Sequence, residues 1–508
     1  MLKFLNFVNS ITNKQAISIV LILACFLAIN SFIVLNHNKF YSYLSEDVVS
    51  IIDMSTSFVQ EYKIVNGIQN KLFYETVYLI ETYWKPPAFF IFSLPFFMFI
   101  TNINIFIIFL NLIISFITLL SVYEIVRRIS SIKIGLLSSY ILAFMPLFFV
   151  IHRTFFIESF LIAMISLSMA IISINKFDDL KFNVFFTIIL IIAMLTKEQI
   201  FIYIPTFLFL IFTSQRNYKN ISNLINILLI FAFSFSVSYL LWYYLNAPNI
   251  FAHLLKYSKE VLNTDYLYYL KSFYYFDVSP FISLIFIMSS MFLVFKKKHI
   301  SFIICFIFII VIFSLSGNKV SRHIAPAIIF CPIIISLCVF DIKYKYIRKI
   351  LICLILIVLP IQYFIINYFP AKMINFNYGY NYFRGVTFYD YVSSLQTYKQ
   401  QYEYLEKMLG KNFEVKTAFI QFFPSIAYNF LLLQENRKSK ICKIFLYDDV
   451  ENIKNNIIKY DNIIISDRNK FVFNDFEKFL FENLFEKKQE ISIYNHDNNK
   501  VWLYNRKN

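Results

Sequence analysis

The stretch ETYWKPPAFFIFSLPFFMFI, residues 81–100, decides how this chain is threaded through a membrane. It places Lys85 and two prolines ahead of an apolar run, residues 87–101, which is short and interrupted by Pro95. Because a spanning helix needs about 20 apolar residues, this run is either one more crossing or a segment that enters partway and returns. The charges of the surrounding loops distinguish the two topologies.

The rest of the chain has the composition of a multi-pass membrane protein. Of 508 residues, 59% are hydrophobic and 20% aromatic, while charged residues make up only 15%. Long uncharged stretches are predicted as spanning helices, because backbone polar groups in lipid must be satisfied within their own segment. We predict eleven spans, near residues 17–36, 105–123, 134–151, 158–174, 182–196, 199–213, 226–246, 279–295, 300–316, 324–340 and 350–367.

The short basic loops decide the topology, since loops rich in Lys and Arg remain on the cytoplasmic side. If residues 87–101 do not cross, all five strongly basic loops fall inside; if they do cross, with the amino terminus inside, all five fall outside. These loops contain Arg127, Arg128 and Lys133; Lys176 and Lys181; Arg216 and Lys219; Lys296, Lys297 and Lys298; and Lys343, Lys345, Arg348 and Lys349. We therefore predict that residues 87–101 are re-entrant or interfacial and that the amino terminus is cytoplasmic.

This topology divides the chain into a transmembrane domain, residues 1–369, and a soluble extracytoplasmic domain, residues 370–508. The outer loops of the first domain are residues 37–104, 151–157 and 247–278. Much of the net charge of +16 lies in cytoplasmic anchors. The charge therefore needs no nucleic-acid partner.

The carboxy-terminal domain is predicted to be a small α/β layer. Charges return from about residue 370, and short apolar runs alternate with helical spacing. The predicted strands are VKTAFIQF (415–422), ICKIFLY (441–447), DNIIIS (461–466), ISIYN (491–495) and KVWLYNR (500–506). No glycine-rich phosphate loop follows any of them, so we assign this domain no chemistry.

Ionisable residues gather at the predicted outer ends of the spans, where burial is costly unless the charges are paired or used. They occur in five places: Glu46 and Asp47; Lys85; His152, Arg153 and Glu158; Lys197 and Glu198; and Lys319, Arg322 and His323. Singly, such residues are often snorkelling anchors or solvated loop charges, and Glu198 is a ready surface partner for Lys197. Together, carboxylates provide a general base or hold a metal, and the cations suit a phosphate.

In their order, these residues resemble the GT-C glycosyltransferases that use a polyprenyl-phosphate-linked sugar, the group of aminoarabinose transferases and protein O-mannosyltransferases. The resemblance rests on five short motifs over residues 10–370. These are the acidic pair Glu46 and Asp47, KPP at 85–87, Arg153 with Glu158, LTK at 195–197 and RHIAP at 322–326. The chain departs from the family pattern in reading Glu-Asp for Asp-Glu and in having Glu158 where Asp is usual.

The resemblance implies a membrane glycosyltransferase of the bacterial cytoplasmic membrane that moves a sugar to a lipid A group, a protein hydroxyl or an envelope glycan by an inverting displacement. Glu46 or Asp47 would be the base, and Glu158 would be a further catalytic residue that orients the acceptor, shares the role of base or helps to hold a divalent ion. Lys85, Arg153, Lys197 and Arg322 would bind the donor phosphate. A divalent metal ion on Asp47 and Glu158 is left open, as are two other functions, a transporter or flippase and a non-enzymatic envelope sensor.

Overall fold

A computed structural model describes most of the helical part of the chain and a smaller β part. The described residues are 12–37, 86–100, 103–152, 157–174, 177, 179–214, 221–244, 266–315, 321–368, 417–420, 443–445, 459–466, 478–482, 485–491 and 501–506. They belong to two compact units, one helical and one built on a sheet. Residues 369–416 lie outside the described residues, so the domain boundary at residue 370 stays a prediction.

The helical unit contains fourteen α-helices among the described residues, together with two π turns and one 3-10 segment. The helices are α1 (Asn13–His37), α2 (Ala88–Phe99), α3 (Ile103–Ile129), α4 (Ile132–Ala143), α5 (Pro146–Ile151), α6 (Ile157–Ile174), α7 (Leu180–Met194), α8 (Ile200–Ser214), α9 (Ile221–Ser238), α10 (Tyr268–Ser272), α11 (Pro280–Phe295), α12 (Ile300–Leu315), α13 (Phe330–Asp341) and α14 (Lys345–Tyr368). The π turns are Tyr239–Tyr243 and Phe273–Asp277, and the 3-10 segment is Ser321–Ile329.

These helices make the chain a multi-pass helical membrane protein, as predicted. Six stretches within them are long and apolar enough to cross a membrane, and five further apolar helices are shorter. Each of the eleven overlaps one predicted span. The number of crossings itself stays a prediction, since length and composition do not place the lipid.

One predicted span is wrong in detail, because residues 134–151 do not form a continuous helix. Helix α4 ends at Ala143 and α5 begins at Pro146, with Met145 extended at φ −74° and ψ 132°. Proline disfavours helical geometry in the residue before it but suits the first position of a helix. Pro146 therefore ends one helix and starts the next.

One side-chain hydrogen bond places the start of α1 and the end of α3 on the same face of the helical unit. Tyr123, near the end of α3, donates a hydrogen bond of 2.7 Å to Asn13 at the start of α1. If α2 crossed the membrane, these two ends would lie on opposite faces. Helix α2 has only 12 residues, about 18 Å at 1.5 Å per residue. Both observations support a segment that does not cross.

A second contact joins two of the predicted cytoplasmic loops. Lys298 and Asp341 form an ion pair of 2.9 Å between their Nζ and Oδ1 atoms. Loops that the positive-inside rule assigns to the same side are thus neighbours. Which face is cytoplasmic continues to rest on that rule.

The sheet of the second unit has the strand order β2-β1-β3-β5-β4. Its strands are β1 (Thr417–Ile420), β2 (Lys443–Phe445), β3 (Asn462–Ser466), β4 (Phe485–Ile491) and β5 (Val501–Arg506). Strand β1 pairs in parallel with both β2 and β3, whereas β5 pairs antiparallel with both β3 and β4. Four predicted strands overlap β1, β2, β3 and β5.

The fourth predicted strand, ISIYN (491–495), meets the sheet at Ile491, which belongs to β4, and residues 492–495 lie outside the described residues. Strand β4 begins at Phe485, so the sheet also uses FEKKQE, which the prediction leaves out. A search for apolar runs misses this segment because of its charges. The charges are compatible with a strand at the end of the sheet, because charged side chains protect an edge from further pairing.

Candidate active site

The centre of the candidate site is a buried ion pair between Glu158 and Lys197. The Lys197 Nζ donates to Glu158 Oε1 at 2.7 Å, and the two residues are 39 positions apart in the chain. The side chain of Glu158 is 2% exposed and that of Lys197 is 19% exposed. Glu158 lies in the first turn of α6, where the helix dipole favours a negative charge.

This pairing corrects one alternative drawn from the sequence, in which Glu198 is a surface partner of Lys197. Glu198 is exposed, and the carboxylate that contacts Lys197 comes from a different helix. Two predicted site residues from separate motifs are therefore in direct contact.

The turn between α7 and α8, which carries Lys197, is fixed by two other elements. The backbone N–H of Ala88, at the start of α2, donates to the Leu195 carbonyl at 2.8 Å. The Tyr243 hydroxyl, in the first π turn, donates to the Met194 carbonyl at 2.9 Å. The residue that follows the Lys-Pro-Pro motif is therefore hydrogen-bonded to the backbone two positions before Lys197.

Helix α2 also packs against the start of α6, next to Glu158. The rings of Phe92 and Phe160 stack with their centroids 4.8 Å apart, and the Phe89 ring lies 5.7 Å from that of Phe160. Pro86 and Pro87 are both buried. The segment that follows Lys85 thus contacts both the start of α6, which carries Glu158, and the turn that carries Lys197. Three of the five charged places in the sequence are brought together in this way.

The 3-10 segment Ser321–Ile329 brings the fourth place to the same region. It packs against α6, against α5 and against the second π turn, Phe273–Asp277. Arg322 is the second residue of this segment, and His323, the third, is half-buried. The backbone thus brings the Arg322 motif beside the helix that carries Glu158.

His152 follows the last residue of α5 and is buried. Its Nδ1 lies 2.8 Å from the Phe148 carbonyl oxygen, which can only accept, so Nδ1 carries the proton and Nε2 is left as an acceptor. Burial lowers the pKa of His152 to about 4. The imidazole is therefore neutral at pH 7 and does not act as a cation for phosphate.

Asp277 is a buried acid that the sequence analysis misses. It ends the second π turn, is 1% exposed, and accepts a 2.7 Å hydrogen bond from the Ser272 hydroxyl at Oδ2. Burial raises the pKa of Asp277 to about 7. The signal that could have found it is a lone acid in an aromatic run, YYLKSFYYFD, just before a proline-started span.

The aromatic run around Asp277 is divided between two environments. Tyr268 and Tyr269 are buried in the protein, whereas Tyr266 is 64% exposed. The buried pair is part of the helical core beside the second π turn, so the run is not a uniform aromatic belt at the membrane interface.

Five other predicted residues cannot be placed: Glu46, Asp47, Lys85, Arg153 and Lys319 lie outside the described residues, as does the side chain of Arg322. In the part of the chain that the structure describes, no group of three or more His, Cys, Asp or Glu residues could hold a metal ion. A site shared by Asp47 and Glu158 is not tested by that observation.

The arrangement combines a buried carboxylate, a lysine and a proline-lined segment in one region of the bundle. An ammonium group that is partly exposed can leave its carboxylate partner for a phosphate, since Lys is a mobile point charge on a flexible stem. A carboxylate released in this way can accept a proton or a hydrogen bond.

The comparisons with known proteins agree with this chemistry. Residues 85–242 match the family described as dolichyl-phosphate-mannose-protein mannosyltransferase, which covers less than half of the chain but contains Lys85, Glu158 and Lys197. This match confirms the resemblance to polyprenyl-phosphate-sugar transferases and, with it, the assignment as a membrane glycosyltransferase. None of the curated proteins matches the sequence.

Two similar solved structures are crystal structures of ArnT from Cupriavidus metallidurans. The form bound to undecaprenyl phosphate is 12% identical, with a TM-score of 0.44 over 83% of this chain and 88% of that one. The apo form is also 12% identical, with a TM-score of 0.46 over 84% and 88%.

Proposed function

We propose that this protein transfers a sugar from a polyprenyl-phosphate carrier to an acceptor nucleophile on the outer side of the membrane, in one displacement that inverts the anomeric carbon. The observation that carries the proposal is the buried Glu158–Lys197 pair, held against the segment that follows Lys85. An ion pair that served only stability would need no such convergence of three motifs. A site that binds an anionic leaving group needs several such groups in one place.

In this proposal Lys197 is a cation of the donor-phosphate site, and it is one whose side chain the structure describes. When the sugar leaves, the carrier phosphate departs as an anion of low basicity, so its departure needs positive charge more than a proton. Lys85, Arg153 and Arg322 would complete the charge, because their motifs neighbour this region in the chain or in the backbone packing. Binding of the phosphate would draw Lys197 away from Glu158.

The acids then act on the acceptor. Asp47 or Glu46 would remove the proton of the acceptor nucleophile, and Glu158, released from Lys197, would orient the acceptor or share the role of base. In this scheme the ion pair is the resting state of the enzyme. The sugar, the acceptor and any divalent ion are left open.

The test uses the purified protein in liposomes with radiolabelled polyprenyl-phosphate sugars, and follows release of the lipid phosphate. We expect Glu158→Gln and Asp47→Asn to abolish transfer, and Lys197→Met and Lys85→Ala to raise the KM for the donor. The other end of the bundle offers matched controls, since Lys298→Met and Asp341→Asn break an ion pair of similar length. Unchanged transfer in all four site variants, or equal losses in the controls, would refute the proposal.

A transporter is the competing function from another class. Transporters often place ionisable groups near the bilayer midplane in two repeated halves, whereas Glu158 and Lys197 lie at helix ends. A protein that moved the intact carrier across liposomes without releasing lipid phosphate would favour a transporter.

A further inference from the structure

A second cluster of buried polar atoms lies near the second π turn. Among the residues that the structure describes, three atoms of this cluster have no hydrogen-bond partner: His152 Nε2, Asp277 Oδ1 and Gln362 Nε2. Leaving such atoms unpaired in a folded protein is costly unless a ligand or water satisfies them. The steps of glycosyl transfer proposed above do not use any of the three.

Contacts bring the three residues to one region. The Ser279 hydroxyl donates to Gln362 Oε1 at 2.9 Å, and Ser279 follows Asp277 by two positions. Helix α5, which ends next to His152, packs against the π turn that Asp277 ends. Its Phe149 ring lies 4.8 Å from the ring of Tyr363, the neighbour of Gln362.

The backbone at this place is held in an unfavourable conformation. Ser279 has φ +88° and ψ 152°, a region that residues with a side chain rarely adopt. Its hydrogen bond to Gln362 and the start of α11 at Pro280 keep it there. The strained turn fixes the position of Asp277 relative to Gln362.

The chemistry of the cluster selects a neutral hydroxylated ligand. His152 Nε2 accepts and Gln362 Nε2 donates, so a bound group must both donate and accept, which a hydroxyl does. A phosphate is disfavoured because it offers only acceptors, and the His152 Nε2 also accepts. A cation is disfavoured because the Gln362 amide N–H groups would repel it.

We propose that His152, Asp277 and Gln362 bind hydroxyl groups of the donor sugar, an inference that rests on the proposed function. The 3-10 segment packs against both α6, which carries Glu158, and the second π turn, which carries Asp277. The helix that carries Glu158, the partner of the phosphate-binding Lys197, and the π turn of the hydroxyl-binding cluster are therefore neighbours of one short element. A lipid-linked sugar likewise presents a charged phosphate and a neutral ring side by side.

The test measures binding of bare undecaprenyl phosphate and of the same carrier loaded with sugars, including mannose and aminoarabinose. We expect the wild-type protein to bind one loaded carrier more tightly than the bare one. Gln362→Met and His152→Phe keep the shape and burial of the side chain, and each should weaken that binding about five- to tenfold through loss of one hydrogen bond. Asp277→Ala should do the same.

The controls separate this inference from the proposed function. All three variants should bind bare undecaprenyl phosphate as the wild type does, whereas Lys197→Met should lose that binding. Asp341→Asn, at the other end of the bundle, should change neither, and the thermal unfolding midpoint shows that each variant folds.

Two results would overturn the assignment while the proposed function stands. One is that the wild-type protein holds every loaded carrier no more tightly than the bare one; the other is that the shape-preserving variants keep the wild-type affinity. A wild-type protein that bound no carrier at all would contradict the proposed function itself, and this inference with it.

Discussion

Breaking the Glu158–Lys197 pair from its two sides should have unequal effects on stability. Lys197→Met leaves a carboxylate whose side chain is 2% exposed without this cation, and removing one partner of a buried pair typically costs about 3–5 kcal/mol. Glu158→Gln leaves an ammonium group that is 19% exposed and can still reach water. The amide oxygen introduced by that substitution can also still accept from Lys197, so we expect a loss of only about 1–2 kcal/mol.

The double variant completes the cycle. Once Glu158→Gln has removed the negative charge, adding Lys197→Met no longer separates that charge from its cation, so the double variant should be more stable than the two single losses predict by about 1.5–3 kcal/mol. The assay is reversible unfolding by detergent titration, with the same cycle at Lys298 and Asp341 as a control. That Lys298 side chain is 56% exposed, so its coupling should stay within about 1 kcal/mol. Additive losses at Glu158 and Lys197, or equal single losses, would show that the pair is not the buried contact described above.

Three further predictions concern other parts of the molecule. Gly135→Ala should destabilise the helical unit, because an added Cβ would meet the Tyr123 carbonyl oxygen at 2.8 Å and its ring at 2.9 Å; an unfolding midpoint at or above the wild-type value would contradict this close helix packing. Burial raises the pKa of Asp277 from 3.8 to about 7, so the stability that this group contributes is fully present below pH 3.8 and is lost as the pH rises to about 7. As the pH rises from 5.5 to 8, the free energy of unfolding of Asp277→Asn should therefore increase by about 2 kcal/mol relative to that of the wild type. A difference in unfolding free energy that stayed constant across that range would argue against a buried acid. In the sheet, the Lys487 Nζ lies 3.5 Å from the centroid of the Trp502 ring. Lys487→Met should therefore lower the free energy of unfolding by about 0.5–1 kcal/mol and change the Trp502 fluorescence. Neither change would occur if the cation pointed into solvent.

The helical architecture can be predicted because lipid imposes strong constraints on sequence. Spans must be long and apolar, and basic loops mark one side. The sequence does not show breaks that depend on local geometry. Pro146 could have indicated the end of α4, and Pro326 the departure of the segment Ser321–Ile329 from ordinary helix, whereas the two π turns contain no proline or glycine to mark them.

The candidate site is predictable as a set of motifs but not as a set of contacts. Glu158 and Lys197 stand out because charges at span ends are rare, yet nothing in the sequence shows that Lys197 would pair with Glu158 in preference to Glu198. In the structure the pair forms where α2 packs on α6 and where the Ala88 N–H donates to the Leu195 carbonyl, two contacts between distant parts of the chain. Asp277 is missed for the opposite reason, since one acid in an aromatic run has no partner in the sequence to draw attention to it.

The difference between the two buried acids follows from what each one faces. Glu158 is buried with the Lys197 ammonium 2.7 Å away, and a nearby opposite charge favours the carboxylate form of an acid. Asp277 accepts from the neutral Ser272 hydroxyl, and desolvation therefore holds its proton until about pH 7. One acid is suited to chemistry that develops charge, and the other to recognising a neutral group. A transferase that must stabilise a leaving phosphate while binding an uncharged sugar needs both environments, and in this fold both adjoin a single short segment, Ser321–Ile329.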